Sequence, residues 1–332
     1  MKKTTMIIAS AMLLLMGACT KDGECSTCPD AEKEQERTEE TATLKISMAF
    51  PEDGPETRAL ASYTTVQDYE KAVNRIQVLV FDASGRLNAY KNLGASTTTS
   101  ISTTIGTKKV WAVVNGPDVS GISTESGLKA KTVSLASNST SAATGFVMAG
   151  YTSCSLTASG ASASVTVSRL TGRIALQSVT NALPGVYPTL TIKKVYAINV
   201  VGTENLSGTG TSAPSLNKGA DKGEAATLLS KTISRALANG TSYTPTVPHL
   251  FYGFANKTAT KTRLVVEAEI SGKTYYYPVT MTSLERNKAY TVSVTIKNLG
   301  SDNPDTPVDK GTLSVSISVA GWQSGANYEE TI

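Results

Sequence analysis

The chain of 332 residues is long enough for two domains of ordinary size, each with its own core. It carries 31 lysine and arginine residues against 27 aspartate and glutamate residues, a formal net charge of +4. The positive charges are scattered and form no basic run, which argues against nucleic-acid binding. The single histidine, His249, lies among apolar residues, and the sequence shows no phosphate-binding loop and no metal-ligand motif. We therefore expect no catalytic residue, cofactor or metal, and predict that the protein is not an enzyme.

Residues 1–18 have the pattern of a lipoprotein signal peptide. Lys2 and Lys3 precede an apolar run over residues 6–16, which is too short to span a bilayer as a helix. Small residues then precede Cys19, whose thiol is the predicted lipid attachment site and would anchor the chain to a membrane. The alternative is an ordinary secretory signal with a chance cysteine.

Residues 19–58 are predicted to form a tether and a removable strand. The stretch 20–40 is polar and charged, so it cannot bury enough apolar surface to fold by itself. A strand pattern follows, with apolar side chains at every second position: Leu44, Ile46, Met48 and Phe50. Arg58 and Ala59 lie just after a Pro- and Gly-flanked stretch, and this pair suits a trypsin-like protease cutting between them.

Three other cysteines complete the inventory. Cys25 and Cys28 have metal-ligand or redox spacing, but no second pair and no nearby histidine completes a site. Cys154 is interpreted as a small apolar residue on a strand. We therefore expect a mature protein that is not stabilised by disulfides.

From residue 59 onward, alternation with period two predicts a chain built of strands. The predicted strands are 75–81, 86–90, 109–114, 162–167, 173–179, 189–201, 263–270, 273–279 and 289–296. A helix is predicted over residues 66–72, and a second one where a capping-box spacing precedes Leu228, Leu229, Ile233 and Leu237. Residues 202–223 read as a surface loop. A turn-rich join at residues 181–188 divides the chain into an N-terminal sandwich domain, 59–182, and a C-terminal one, 183–332.

Two segments at opposite ends of the chain share one strand pattern. Residues 43–49 lie before the predicted cleavage site, and residues 312–318 follow a polar linker. The second segment carries Leu313, Val315, Ile317 and Val319 on one face, which makes residues 312–332 a candidate donor strand. Two strands with one pattern could occupy the same position in a sheet; the alternative is that each is a permanent edge strand.

These motifs, in this order, resemble the FimA/Mfa-type fimbrillins, the major fimbrial subunit family of Bacteroidales. The matching segments beyond Cys19 and Arg58 are IQVLVFDASG (76–85), VWAVVNG (110–116), RLTGRIAL (169–176), LERNKAYTVSVTI (284–296) and LSVSISVAGW (313–322). Together they span most of the chain.

The resemblance implies an all-β fold of two transthyretin-like Greek-key β-sandwich domains with minor helical excursions. It also implies delivery to the outer membrane as a lipoprotein, cleavage by an Arg-specific protease and assembly into a fimbrium on the cell surface. The partners would be other copies of the chain in a head-to-tail homopolymer, together with anchor and tip pilins. In this family the loss of the first strand opens an apolar groove that a C-terminal strand of the next subunit fills, which supports adhesion by the finished pilus.

Three other functions compete with a shaft subunit. The chain could be an anchor or tip pilin of the same system, or a surface lipoprotein that binds glycans. An enzyme is disfavoured because the sequence lacks catalytic constellations.

Overall fold

The computed structural model describes residues 40–50, 66–209, 215–216, 228–322 and 328–331. Strands dominate this part of the chain, as the alternating sequence pattern predicts. Two short α-helices are present among the described residues: α1 (Asp68–Lys71) and α2 (Glu125–Ala130).

The N-terminal half forms two facing sheets. Its strands are β1 (Thr41–Ala49), β2 (Ile76–Asp82), β3 (Leu87–Gly94), β4 (Thr98–Thr104), β5 (Gly106–Val114), β6 (Thr132–Ser134), β7 (Met148–Leu156), β8 (Ala161–Thr166) and β9 (Ser168–Arg169). A 3-stranded sheet has the order β4-β1-β8, and a 5-stranded sheet has the order β3-β2-β5-β7-β9. Apolar side chains from the two sheets meet in one core, to which β1 contributes Leu44 and Ile46.

The strand β2 is buried along nearly its whole length because both of its faces are covered. Val78 and Val80 point into the core shared with β1. Leu79 and Phe81 point the other way, into a second core that also contains residues of the C-terminal half, such as Tyr252. This explains why four apolar residues, 78–81, follow one another in this strand.

The C-terminal half repeats the two-sheet arrangement. Its strands are β10 (Thr171–Asn181), β11 (Thr189–Ile198), β12 (Val200–Val201), β13 (Thr203–Asn205), β14 (Ser215–Leu216), β15 (Ser230–Ala238), β16 (Ser242–Tyr243), β17 (His249–Phe254), β18 (Arg263–Ile270), β19 (Lys273–Thr280), β20 (Lys288–Ile296), β21 (Leu313–Gly321) and β22 (Tyr328–Thr331). One sheet has the order β16-β10-β20-β21-β22, with β17 also paired to β10. The facing sheet has the order β15-β11-β18-β19, and a third core fills the space between the two.

The two halves are joined by polar as well as apolar contacts. The short strands β6 and β13 pair across the junction, with Glu204 opposite Val133. Arg286 of the C-terminal half donates hydrogen bonds to the carbonyl of Ala149 at 3.2 Å and to the hydroxyl of Ser168 at 2.7 Å. The described residues belong to one compact unit by their contacts. The domain limits predicted from the sequence stay a prediction.

Two local predictions were wrong. The segment around Ile233 and Leu237 is the strand β15 and not a helix, and it pairs with β11. A four-residue spacing is even, so it places two side chains on one face of a strand as well as of a helix. The predicted loop 202–223 contains β13, where Glu204 is only 1% exposed. Residues 217–227, where the predicted helix would begin, lie outside the described residues.

The predicted β-hairpins are present. The strands β2 and β3 are antiparallel around a turn at Gly85, which has a φ of +80°. The strands β18 and β19 pair in register from Arg263 opposite Thr280 to Ile270 opposite Lys273. The helix predicted at residues 66–72 is present as the shorter α1.

Candidate functional site

The strand β1 buries one face and exposes the other. Ala42, Leu44, Ile46 and Met48 are between 0% and 9% exposed, whereas the residues between them are exposed. Phe50, just after the strand, is partly buried against the same core. The residues predicted for a removable strand therefore all contribute to the N-terminal core.

The strand β1 lies in the middle of its sheet. It pairs with β4 in the antiparallel sense, with Leu44 opposite Ile101, and with β8 in the parallel sense, with Leu44 opposite Ala161. Further backbone hydrogen bonds continue both ladders at the end of the strand, from Met48 N to Thr97 O at 2.9 Å and from Val167 N to Ala49 O at 3.0 Å. We call the space between β4 and β8 that β1 occupies the β1 groove.

The floor of the β1 groove is apolar. Beneath β1 lie fully or nearly fully buried side chains of the facing sheet, among them Ile76, Val78, Val80, Val110, Ala112 and Val114. A chain that lost β1 would present this floor together with two rows of unpaired backbone groups on β4 and β8. The groove is thus shaped to bind one extended strand with apolar side chains at every second position.

The predicted donor residues lie on β21, which is paired within its own chain. Its nine residues pair with β20 from Leu313 opposite Ile296 to Gly321 opposite Lys288. Leu313 and Ile317 are each 6% exposed in the C-terminal core, and Val315 and Val319 pack against that core while partly buried. The outer strand β22 pairs with only four residues of β21.

A buried polar cluster joins α1 to the end of β21. We call it the Glu70 cluster; its members are Glu70, Arg169, Arg173, Tyr252 and Trp322. The carboxylate of Glu70, with a side chain 0% exposed, lies 3.0 Å from Nη1 of Arg173. It also accepts hydrogen bonds from the Tyr252 hydroxyl at 2.6 Å and from Nε1 of Trp322 at 3.4 Å.

Stacking contacts complete the Glu70 cluster. The guanidinium groups of Arg169 and Arg173 lie 4.7 and 5.5 Å from the centroid of the Trp322 ring. Nε of Arg169 donates to the backbone carbonyl of Glu70 at 2.9 Å. Burial, and next the negative charge of Glu70, raise the pKa of Tyr252 well above its ordinary value, so its hydroxyl remains a donor.

Sequence reasoning missed this cluster. Arg169, Arg173 and Trp322 stand within the segments that carry the family resemblance, whereas Glu70 lies in the helix predicted over residues 66–72, to which the sequence pattern assigns no function. Its partners are as many as 252 positions away in sequence, so no local pattern could connect them. The one available signal was an acidic residue with apolar or aromatic neighbours in a short helix.

Several predicted residues lie outside the described residues: Cys19, Cys25, Cys28, Arg58 and Ala59. Among the described residues, Cys154 is a free thiol that packs, partly buried, against the N-terminal core. No group of metal-ligating side chains was found there, nor a helix long and apolar enough to cross a membrane.

His249 has a structural environment. It lies on β17, and its Nε2 is 2.7 Å from the Tyr243 hydroxyl. Burial, and next the positive charge of Lys231, lower the pKa of His249 below its ordinary value. His249 is partly buried on its strand and hydrogen-bonded to Tyr243, the environment of a packed side chain.

The fold makes this chain an all-β sandwich protein, and one strand, β1, fills the groove between β4 and β8. Residues 42–214, more than half of the chain, match the family model of the major fimbrial subunit protein FimA. The chain therefore belongs to the FimA fimbrial subunit family. This family is structural, not enzymatic, and it implies a place in a cell-surface fimbria.

Solved structures support the fold. A cell adhesion protein from Bacteroides eggerthii is 21% identical, with a TM-score of 0.63 over 85% of this chain and 96% of its own. The fimbrilin FimA of Porphyromonas gingivalis is 15% identical, with a TM-score of 0.62 over 85% and 97%. The tip fimbrial protein Mfa3 of the same organism, truncated at its C-terminus, is 14% identical, with a TM-score of 0.51 over 85% and 100%. A search of curated protein sequences gave no significant match.

Proposed function

We infer that this chain is a shaft subunit of an adhesive pilus, exported as a lipoprotein on Cys19 and activated by an Arg-specific protease that cuts between Arg58 and Ala59. Cleavage releases the segment with β1, and a C-terminal strand of the next copy enters the β1 groove. The observation that carries the proposal is the place of β1, which is a central strand but precedes the predicted cut in sequence.

Loss of β1 exposes the apolar floor of the groove, so binding of a replacement strand is strongly favourable. Each apolar side chain that fills the groove contributes roughly 1.5–3 kcal/mol by leaving water. Ladder hydrogen bonds to β4 and β8 then fix the register and satisfy backbone groups that would otherwise be exposed edges. Because the groove and the donor lie on different surfaces of one chain, the contact is head-to-tail and continues as a filament.

Within the C-terminal segment, β21 is the strand whose chemistry fits the groove. Leu313, Val315, Ile317 and Val319 reproduce the alternation of β1. The residues after Trp322 include the adjacent pair Glu329 and Glu330. A strand that carries both would place one carboxylate against the apolar floor, which is costly.

Donation by β21 requires that it leave its own sheet. In doing so it gives up nine paired residues and the burial of Leu313 and Ile317. It gains a comparable ladder and comparable burial in the β1 groove. The exchange is therefore close to balanced in contacts, and cleavage makes it possible by removing β1 and leaving the groove open.

A peptide competition tests the donor assignment. A synthetic peptide with the sequence of residues 312–320, added in excess to subunits that begin at Ala59, should occupy the groove and stop filament growth seen by electron microscopy. Two peptides serve as controls: the same sequence with Val315→Asp and Ile317→Asp, and residues 323–332. Inhibition by the 323–332 peptide alone would move the donor role to that segment, and inhibition by none of them would refute strand exchange.

An anchor or tip pilin is the second candidate, because β21 is paired within its own chain and a tip subunit needs no free donor. An anchor would keep the lipid on Cys19 and the uncut N-terminal segment. Intact mass of the protein in purified filaments, with immunogold labelling along their length, separates the roles. Labelling confined to one filament end would favour an accessory subunit.

A further inference from the structure

We propose that the Glu70 cluster is a latch that holds β21 in its own sheet and must open before this strand can be donated. The biological role of the latch rests on the strand exchange proposed above. The experiment that tests the latch uses the uncleaved chain and does not require strand exchange. It assigns Glu70 and Trp322 as positioning residues that control when the C-terminal strand is available.

Trp322 is the connection between β21 and the latch. It follows directly on the last residue of β21, is 2% exposed, and its backbone amide donates to the carbonyl of Asn287 at 3.0 Å. Its ring stacks with Tyr252 at a centroid distance of 5.8 Å and packs edge-on against Phe146 at 6.1 Å. For β21 to leave, Trp322 must withdraw from all of these contacts and from the carboxylate of Glu70.

The chemistry of the Glu70 cluster is better suited to fixing the position of Trp322 than to raising the free energy of unfolding. A buried ion pair gives little net stabilisation compared with apolar residues of the same volume, since both charges lose their hydration. Its particular effect is geometric, because a carboxylate, a guanidinium and an indole N–H satisfy one another in few arrangements. The pair therefore favours one position for Trp322 over looser alternatives.

The location of Glu70 places the latch next to the maturation site in sequence. The segment 51–65 contains Arg58 and leads directly to α1, which carries Glu70. The capping box of α1 also uses the Glu70 side chain, which accepts a hydrogen bond from the backbone amide of Gln67 at 2.8 Å. The group that holds Trp322 is thus in direct contact with the backbone at the start of α1.

Hydrogen exchange on the uncleaved full chain tests the latch. We expect Glu70→Gln and Trp322→Phe to accelerate exchange of β21 amides by about tenfold or more, with little change in β18, which lies in the facing sheet of the same half. Trp111→Phe is the matched control. Trp111 is also 2% exposed and donates Nε1–H to a carboxylate, that of Glu125 at 3.1 Å, but neither this carboxylate nor the ring it stacks on, Tyr151, belongs to the Glu70 cluster.

A fluorescence measurement guards against a folding defect. In Trp111→Phe, Trp322 is the remaining one of the chain's two tryptophans, so its emission reports on the cluster alone. Adding Glu70→Gln should shift that emission to longer wavelength while the far-UV circular dichroism is unchanged. Arg173→Lys retains a positive charge and should cause a smaller shift.

Two results would overturn the latch. One is equal acceleration of β18 and β21, which would mean a general loss of stability; the other is unchanged exchange of β21. A third result would separate the two proposals. If β21 exchanges faster in the variants but the cleaved variants form filaments no more readily, the latch stands and β21 is not the donor.

Discussion

Glu70 and Arg173 form a buried ion pair at 3.0 Å, with side chains 0% and 3% exposed. Lys193 and Glu269 form a pair of nearly the same length, 3.1 Å, with side chains 44% and 40% exposed. The two pairs differ in burial, so a comparison of their acidic residues shows how far burial raises the cost of losing a carboxylate.

Glu70→Ala should strongly destabilise the chain, more than Glu70→Gln, because alanine removes the acceptor of the Tyr252 and Trp322 hydrogen bonds as well as the charge. The substitution leaves Arg173 buried beside Arg169 without the carboxylate, and breaking such a pair typically costs about 3–5 kcal/mol. Urea unfolding of the full-length chain, followed by circular dichroism, measures the change in the free energy of unfolding.

The exposed pair supplies the control for this experiment. Glu269→Ala should change the free energy of unfolding by no more than about 1 kcal/mol, because water screens both charges. Equal effects of the two substitutions would contradict a central structural role for the Glu70 cluster.

Cys19→Ala should abolish lipid attachment. The thiol is the predicted acyl acceptor, so the variant should remain as unprocessed precursor, with no subunit on the cell surface. Labelling cells with a radioactive fatty acid measures this directly. Cys154→Ala is the control and should retain the label, since this thiol lies partly buried in the folded chain. A label that persists in Cys19→Ala would refute the lipoprotein assignment.

Arg58→Ala should prevent maturation. Subunits in wild-type filaments are expected to begin at Ala59, and the variant is expected to keep β1 in its groove and to accumulate as monomer. N-terminal sequencing and electron microscopy of sheared filaments provide the measurements. Arg235→Ala, at an exposed position on β15, should be processed normally. Normal filaments of Arg58→Ala subunits would disprove activation by this cut.

His249 should make the chain less stable in mild acid. Burial lowers its pKa in the folded chain, whereas the unfolded chain titrates near 6.5. As the pH falls below about 6.5, the unfolded state takes up the proton first, so the free energy of unfolding decreases. His249→Gln should remove this part of the pH dependence, measured as the difference between the two urea-unfolding series from pH 8 to pH 5. Parallel series would show that His249 does not contribute.

The sequence by itself predicted the features that depend on local spacing. Apolar residues at every second position identified β2 and the β18–β19 hairpin, because a buried face of a strand needs that spacing, although both faces of β2 are covered in the structure. The same rule identified β1, since Leu44 and Ile46 stand two residues apart and both lie in the core. Where one spacing fitted two structures, as for Ile233 and Leu237, the pairing of β15 with β11 decided the outcome.

Only the tertiary structure decided the relationships between distant residues. It placed β1 between β4 and β8, placed β21 beside β20, and brought Glu70 to Arg173 and Trp322. None of these follows from a local pattern, because sheet order and buried polar contacts depend on which segments meet after the chain has folded. From the sequence alone, a charged residue such as Glu70 is predicted to lie on the surface. Its burial is possible only because a guanidinium lies beside it, and only the structure shows that neighbour.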